Sequence, residues 1–175
     1  MMTDTFPSGV QAAGKNQFVL WPAPPASWAA PKVGEYNAAT NLDITCYIPV
    51  SAFAPTLDQS TEDDTRWCDK STRNSFGVPT LNLSEITHIV NPQGTGSETG
   101  NKMLAQLLPD TFYYLSWRLG VEAALAGVAG QKIVGFSMQT GAAITLPMAS
   151  GKYVRTVKVD LAAVTSLDGV ALVAT

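Results

Sequence analysis

The chain has 175 residues, enough for one domain with a substantial core, and 46% of them are hydrophobic, which excludes an intrinsically disordered protein. Only 14% are charged, below the ~25% of an average soluble domain. Two interpretations fit this low charge. One is a subunit that buries its faces against neighbours, and the other is a β-rich domain whose exposed faces carry Ser, Thr and Asn.

Sequence signals for a membrane, for secretion and for a metal are weak. The apolar runs are only a few residues long, whereas a membrane helix needs about 20. The start, Met1-Met2-Thr3-Asp4, lacks the basic and apolar parts of a secretory signal. We therefore expect no membrane contact and synthesis in the cytosol. Cys46 and Cys68 are expected to be free thiols, because two cysteines without ligand spacing favour neither a disulfide framework nor a metal site.

Residues 1–16 are predicted to form a flexible N-terminal arm, and residues 17–175 a single β-sandwich domain. The first strand is predicted at residues 18–21 and ends at Pro22. Three further prolines, Pro24, Pro25 and Pro31, lack the backbone donor that a central strand requires. We expect this proline-rich segment to run outside any sheet.

Residues 42–50 alternate between apolar and polar side chains, which predicts a half-buried strand. The residues expected on its buried face are Leu42, Ile44, Cys46, Ile48 and Val50. Cys46 is thus interpreted as a small core residue.

Residues 51–75 lack sustained periodicity and are predicted to form a long inter-strand loop, a feature that is usually functional or disordered. The net charge of −3 is concentrated here, because five acidic and two basic residues lie between Leu57 and Lys70 while the rest of the chain holds nine of each sign. The loop residues predicted to make contacts are Asp58, Glu62, Asp63, Asp64 and Arg66.

A strand is predicted at residues 80–90, with a bulge near Glu85 because its apolar alternation changes phase there. A turn over residues 91–96 follows. A short helix is predicted over residues 98–108, with Ser97 as its N-cap and Pro109 as its stop. Its core-facing residues at helical spacing are Met103, Leu104, Leu107 and Leu108.

Three later strands are predicted, with residues 120–130 as a glycine-containing loop between the first two. Their inward residues are Tyr113, Leu115, Trp117 and Leu119; then Val134, Phe136 and Met138; then Tyr153, Val157, Val159 and Leu161. The C-terminal segment 167–173 is apolar and follows a turn signal at Asp168-Gly169. Its residues Leu167, Val170 and Leu172 are predicted to form an edge that pairs with another subunit; pairing within the chain is the alternative.

Catalytic and ligand-binding motifs are weak. His88 is the only histidine, it lies in no known base motif, and no G-x-S-x-G elbow is present, so we interpret it as a partly buried strand residue. The acidic run lacks the register of a calcium loop, and the basic residues form no stripe typical of nucleic-acid binding. We expect no enzyme activity, no cofactor, no metal and no tight DNA binding.

Residues 80–147 contain an ordered series of weak motifs: TLNLSEITHIVNPQG, NKMLAQLLPD, TFYYLSWRLG and QKIVGFSMQTGAAITLP. The flanking motifs are KNQFVLWPAPPA, PKVGEYNAATNLDITCYI and RWCDKSTRNSFGVPTLNL. In this order, over about residues 15–160, they resemble the major tail (tail tube) proteins of long, non-contractile-tailed phages that infect actinobacteria. The resemblance implies a mainly β fold, a tail-tube-type β-sandwich or barrel with one short flanking α-helix and a long inter-strand loop.

The resemblance also implies an assembly. Subunits of that family form hexameric rings that stack into a hollow tube around a tape-measure protein, and tail-terminator and tail-tip proteins are further partners. DNA passes through the tube without tight binding, and residues 51–75 become an inter-ring loop. The protein is then made in the bacterial host cytoplasm and ends in the virion tail.

A second interpretation is a non-enzymatic binding module, such as a head-decoration or carbohydrate-binding virion protein. It requires an exposed aromatic platform, for which Trp21 and Trp28 are the candidates. An exposed position of these two side chains would favour it.

Overall fold

The computed structural model describes residues 14–68, 70–95, 101–148, 151–164 and 168–174, with side chains for all of these except 50 and 162–164. The chain is mainly β, which confirms the predicted fold class. Its strands in these ranges are β1 (Asn16–Trp21), β2 (Leu42–Asp43), β3 (Thr56–Asp58), β4 (Thr61–Asp63), β5 (Asn74–Phe76), β6 (Thr80–Asn82), β7 (Glu85–Ile89), β8 (Phe112–Leu119), β9 (Lys132–Pro147), β10 (Tyr153–Val164) and β11 (Val170–Ala171). The α-helices are α1 (Val33–Tyr36) and α2 (Lys102–Gln106). No helix in the described ranges has the length and apolar character needed to cross a bilayer.

The largest sheet has seven strands in the order β2-β1-β8-β9-β10-β7, and β11 pairs with β9. Two separate two-stranded ladders join β3 to β6 and β4 to β5. Strand β1 confirms the predicted first strand. It begins at Asn16, which the sequence analysis had assigned to a flexible N-terminal segment, residues 1–16. It is antiparallel to β8 over its whole length, from Asn16 opposite Leu119 to Trp21 opposite Tyr114.

The chain divides into two compact units. The first contains the residues up to Cys46, Phe112–Ser137 and the residues from Ala163 onward. Its buried cluster is formed by Val19, Trp21, Tyr36, Ile133 and Leu172, with Trp28, Val33 and Tyr114 packed against it. The Trp28 ring lies directly over Gly135, where any Cβ would collide with it. A glycine is therefore required on this face of β9.

The second unit contains Tyr47–Thr111 and Met138–Ala162. Its fully buried side chains include Ile86, Met103, Leu107, Met138 and Val157. The buried Asn101 carboxamide accepts from the backbone N–H of Asn91 at 2.7 Å and donates to its carbonyl at 2.9 Å. Because both atoms of a buried amide are satisfied, this pair fixes Asn101 beside the turn that follows β7.

The strand predicted over residues 42–50 is wrong after Asp43, because two 3-10 turns, Thr45–Tyr47 and Val50–Ala52, follow the short β2. The Asp43 carboxylate accepts from the Thr45 backbone N–H and hydroxyl at 2.9 and 2.6 Å, which bends the chain. Ile44 and Ile48 are buried as predicted, but Cys46 is exposed and is not a core residue.

The bulge predicted near Glu85 is a complete break between two strands. Before the break, β6 pairs with β3; after it, β7 pairs with β10. The carbonyl of Ser84 accepts from the N–H of Val159 at 3.1 Å, so pairing with β10 starts directly before β7. The phase change in the sequence marks a change of partner strand.

The helix α2 is shorter than the predicted 98–108, of which residues 98–100 lie outside the described residues. Met103 and Leu107 are fully buried, and Leu104 is half-buried. The prediction that Leu108 shares this face is wrong, because Leu108 is 52% exposed. The helix ends at Gln106 and Leu107 has non-helical angles (φ −79°, ψ 75°), so helical spacing no longer directs the next side chain.

Strand β8 departs from the predicted alternation. Tyr113 and Leu115 are buried, but Leu119 is 47% exposed and Arg118 is fully buried. The guanidinium Nη1 donates to Gln131 Oε1 at 2.9 Å, and Nη2 donates to the carbonyls of Glu122, at 3.2 Å, and Leu125. The charge is thus solvated by the loop between β8 and β9, which a pattern of apolar residues does not predict.

Strands β9 and β10 are longer than predicted. Consecutive burial of Ile133, Val134 and Phe136 shows that both faces of β9 are covered there. In β10, Val157 and Val159 are buried as predicted and Leu161 is half-buried. Tyr153 is 50% exposed, which corrects its predicted inward position, because the buried positions shift phase between Val154 and Val157.

Candidate assembly surfaces

Residues 56–82, of which residue 69 lies outside the described residues, form a two-stranded antiparallel projection, which we call the arm. The β3–β6 ladder runs from Thr56 opposite Asn82 to Asp58 opposite Thr80. The β4–β5 ladder continues it from Thr61 opposite Phe76 to Asp63 opposite Asn74. Backbone hydrogen bonds bridge and extend the ladders, since Gly77 donates to Ser60 at 2.8 Å and Asp64 donates to Arg73 at 2.9 Å. The predicted loop therefore contains three short strands that the sequence did not reveal.

Neither face of β3, β4 or β5 is buried against the part of the chain that the structure describes, and Leu81 of β6 is half-buried. Every residue of β3, β4 and β5 is exposed. An alternating apolar pattern arises only where one face of a strand packs on a core, so no such pattern exists here for a sequence-based prediction to detect. The sequence-based prediction therefore rested on the length of the segment and its concentration of charge.

The outgoing strand of the arm carries the acidic residues that the sequence singled out. Glu62 and Asp63 end β4, Asp64 directly follows it, and Asp58 ends β3. Arg66 lies in the turn, with its Nε 3.9 Å from Asp64 Oδ1. The structure thus brings four of the five predicted residues together at the far end of the arm.

Asp63 shapes that end. Its Oδ1 accepts from the Thr65 backbone N–H at 2.9 Å. Hydrogen bonds from the Thr65 hydroxyl and N–H lower the pKa of Asp63 below its usual value, although the side chain is solvent-exposed. The carboxylate therefore supports the turn in addition to carrying charge.

The arm also exposes large apolar side chains that the sequence analysis missed. Leu57 is 59% exposed, Phe76 75% and Val78 83%, and Trp67 projects fully into solvent. Large apolar side chains grouped on one exposed segment are typical of a contact surface. A tryptophan and a phenylalanine within a segment rich in Ser, Thr and Asp were the signal that could have found them.

The C-terminal segment is part of the fold of its own chain, which contradicts its prediction as an intersubunit edge. Strand β11 pairs with β9 through Val170 and Ala171. Leu172 is 1% exposed and lies in the core of the first unit, while its N–H donates to Gln131 at 2.8 Å. Val173 exchanges backbone hydrogen bonds with Pro31 and Val33 at 2.9 and 3.0 Å. Leu167 lies outside the described residues.

The aromatic platform required by a carbohydrate-binding module is not exposed. Trp21 is 2% exposed and Trp28 is half-buried. Their rings pack 5.7 Å apart, and Trp21 also meets the edge of Tyr36 at 5.9 Å. The Trp21 indole N–H donates to the buried Ser116 hydroxyl at 2.8 Å. Both side chains serve the core of the first unit, so the observation that would favour the binding module is missing.

His88 is buried in β7, more deeply than the sequence suggested. Its Nδ1 lies 3.2 Å from the Ile89 carbonyl, and Nε2 has no hydrogen-bond partner within the described residues. Burial lowers the pKa of His88 below its ordinary value, and the nearby Arg155 lowers it further. A fully buried neutral imidazole that reaches no solvent is not placed to act on a substrate. Within the described residues, no group of three His, Cys, Asp or Glu side chains is arranged to hold a metal ion.

Comparison with known families gives one match. The family described as Phage tail tube protein matches residues 2–174, which is nearly the whole chain. No curated protein matches this chain.

Proposed function

Because the chain belongs to the phage tail tube protein family, we propose that its copies form hexameric rings that stack into the hollow tube of a long, non-contractile phage tail. The family assigns a structural role in the virion tail. We further propose that the tube encloses a tape-measure protein, contacts tail-terminator and tail-tip proteins, and later passes DNA without binding it tightly. The protein is then made in the cytoplasm of an actinobacterial host.

The arm is the observation that supports stacking most directly. Its strands bury neither face, yet it presents Leu57, Trp67 and Phe76 to solvent beside a cluster of carboxylates. A two-stranded ladder without a packed face is marginally stable by itself. A neighbouring subunit that covers the arm would both stabilise it and bury its apolar side chains. We therefore propose that the arm contacts the adjacent ring and becomes fully ordered only there.

Electron microscopy of the purified protein tests the assembly. Tubes or rings of uniform diameter are expected, whereas monodisperse monomers at high protein concentration would refute the proposal. The variant with Glu62, Asp63 and Asp64 all replaced by Ala should keep the buried core and form fewer and shorter tubes, because three charges of the contact are lost together with the Asp63 hydrogen bonds that support the turn of the arm.

The matched control removes three other exposed acidic residues: Glu122, Asp160 and Asp168. It changes the net charge equally and should assemble like the wild type. Increasing salt should weaken wild-type assembly, since the screening length falls from ~10 Å at 0.1 M to ~3 Å at 1 M. Equal tube yield from the two triple variants at physiological salt would show that the acidic cluster of the arm does not contribute to the assembly contact.

A further inference from the structure

A second exposed surface lies in the same unit as the arm, at the end of the β9–β10 hairpin. We call residues 142–148 and 151–153 the distal hairpin. Its turn is closed by a hydrogen bond from the Met148 N–H to the Lys152 carbonyl at 2.7 Å and one from the Gly151 N–H to the Met148 carbonyl at 2.9 Å. Residues 149 and 150 are outside the described ranges.

The described end of the distal hairpin is exposed on both faces, from Ile144 to Pro147 and from Gly151 to Tyr153. From Ile144 to Pro147 every side chain of β9 is exposed, whereas the first half of the same strand is buried on both faces. Ile144 is 56% exposed, Leu146 50% and Tyr153 50%. Exposed apolar side chains on this hairpin indicate a contact surface, as they do on the arm.

The charges of the two surfaces are opposite. The arm contains five acidic and three basic residues, a net of −2, whereas Lys152 is the only charged residue of the distal hairpin. Lys152 is exposed and forms no ion pair within the described part of the chain. On the arm, Glu62 lies in β4 and Asp64 directly follows the last residue of that strand, and both side chains are exposed.

We propose that the arm of one copy docks on the distal hairpin of a second copy, with Glu62 and Asp64 opposite Lys152 and the apolar side chains of both surfaces buried between them. This inference rests on the proposed function and names its receiving surface. The occupant is a second copy because each chain carries both complementary surfaces and leaves both exposed in itself. Opposite charges would orient the encounter, and burial of Trp67 and Phe76 against Ile144 and Leu146 would supply most of the affinity.

Charge reversal tests the pairing. Lys152→Glu alone, and the arm variant with Glu62→Lys and Asp64→Lys alone, should each reduce tube yield at ~0.1 M salt at least about tenfold, because like charges then face each other. Combining them restores opposite charges and should recover most of the yield. Asp63 is left unchanged because its carboxylate supports the turn.

Lys132→Glu is the matched control, since Lys132 is an exposed lysine at the opposite end of β9. It should assemble like the wild type, and circular dichroism should show that all variants are folded. The inference is overturned if Lys152→Glu assembles normally, or if the combined variant assembles no better than its parents. In both cases wild-type tubes would leave the proposed function standing, whereas a wild type without tubes would reject that function itself.

Cross-linking locates the contact independently. Cys68 is exposed beside Trp67 in the turn of the arm, and Cys46 is also exposed. In a Cys46→Ser background, Thr145→Cys on the distal hairpin should give a ladder of covalent oligomers with a short bismaleimide. Lys132→Cys should give none. A ladder from Lys132→Cys with none from Thr145→Cys would place the arm on a different surface and reject the inference.

Discussion

Replacing Leu172 with alanine is expected to destabilise the isolated protein strongly, although the apolar C-terminal segment had been predicted to form an edge that pairs with another subunit. The side chain is 1% exposed and packs in a cluster with Trp21, Tyr36 and Ile133. Its backbone N–H donates to the Gln131 carbonyl, and its carbonyl accepts from the Gly130 N–H, each at 2.8 Å. A buried side chain fixed in this way leaves a cavity when it is truncated.

The magnitude follows from the atoms removed. A leucine-to-alanine change removes about three methylene equivalents at ~0.8 kcal/mol each, or roughly 2.4 kcal/mol. The unfilled cavity adds to this loss, and buried leucines typically lose about 2–5 kcal/mol in total. At ~2–4 °C per kcal/mol for a protein of this size, the midpoint of thermal unfolding should fall by roughly 5–20 °C.

Urea unfolding followed by circular dichroism measures this change, at a protein concentration where sedimentation shows only monomers. Val173→Ala is the matched control because Val173 is the next residue, is 36% exposed and keeps its backbone hydrogen bonds to Pro31 and Val33. It should cost less than about 1 kcal/mol. Deleting residues 167–175 should unfold the first unit.

A different result would restore the sequence-based interpretation. If the C-terminal segment were an intersubunit edge, Leu172→Ala would leave the monomer within about 0.5 kcal/mol of the wild type, as surface substitutions do. It would then reduce only the formation of rings. That outcome would refute the placement of Leu172 in the core.

Two further predictions concern the second unit. Leu107→Ala should cost about 2–5 kcal/mol, whereas Leu108→Ala should cost less than about 1 kcal/mol, because only Leu107 is buried; equal losses in urea unfolding would contradict this assignment. The pKa of His88 is lower in the folded protein than in the unfolded chain, so the unfolded chain takes up a proton on His88 at a higher pH. The free energy of unfolding should therefore be highest above about pH 6.5 and should decrease below it, by at most ~1.4 kcal/mol per pH unit. His88→Leu should remove this component of the pH dependence, and an unchanged pH profile would show that His88 titrates normally.

The elements predicted well from the sequence are those in which one face meets a core. In β10, Val157 and Val159 show the expected alternation because one face of the strand is buried. Strand β1 lies where it was predicted, but its side chains are buried without alternation from Gln17 to Trp21. The strand prediction for residues 42–50 failed after Asp43 for a specific reason. Apolar residues at Ile44 and Ile48 satisfy both a two-residue and a four-residue period, and the Asp43 carboxylate selects the 3-10 turn by its bonds to Thr45. Local hydrogen bonding decided between two patterns that periodicity alone could not separate.

Arg118 shows a second limit of periodicity. The sequence places a charged residue within a strand, and the pattern therefore assigns it to the exposed face. In the structure its guanidinium is solvated by the Glu122 and Leu125 carbonyls and lies 5.6 Å from the centre of the Tyr36 ring. Loop carbonyls replace the water that the charge would otherwise require. Such compensation depends on the path of the loop, which residue types do not specify.

The exposed apolar residues of the arm and the buried position of Leu172 were missed in the sequence for opposite reasons. The apolar residues near the C-terminus satisfy the chain's own core, so Leu172 is not available to a neighbour. The arm has the reverse arrangement, because Trp67 and Phe76 are exposed to solvent and do not pack in a core within the described part of the chain. Burial is the main favourable contribution to both folding and association, and a side chain already buried in the monomer contributes nothing further to an interface. The residues that hold subunits together are therefore to be sought where the fold leaves apolar side chains exposed, on the arm and the distal hairpin.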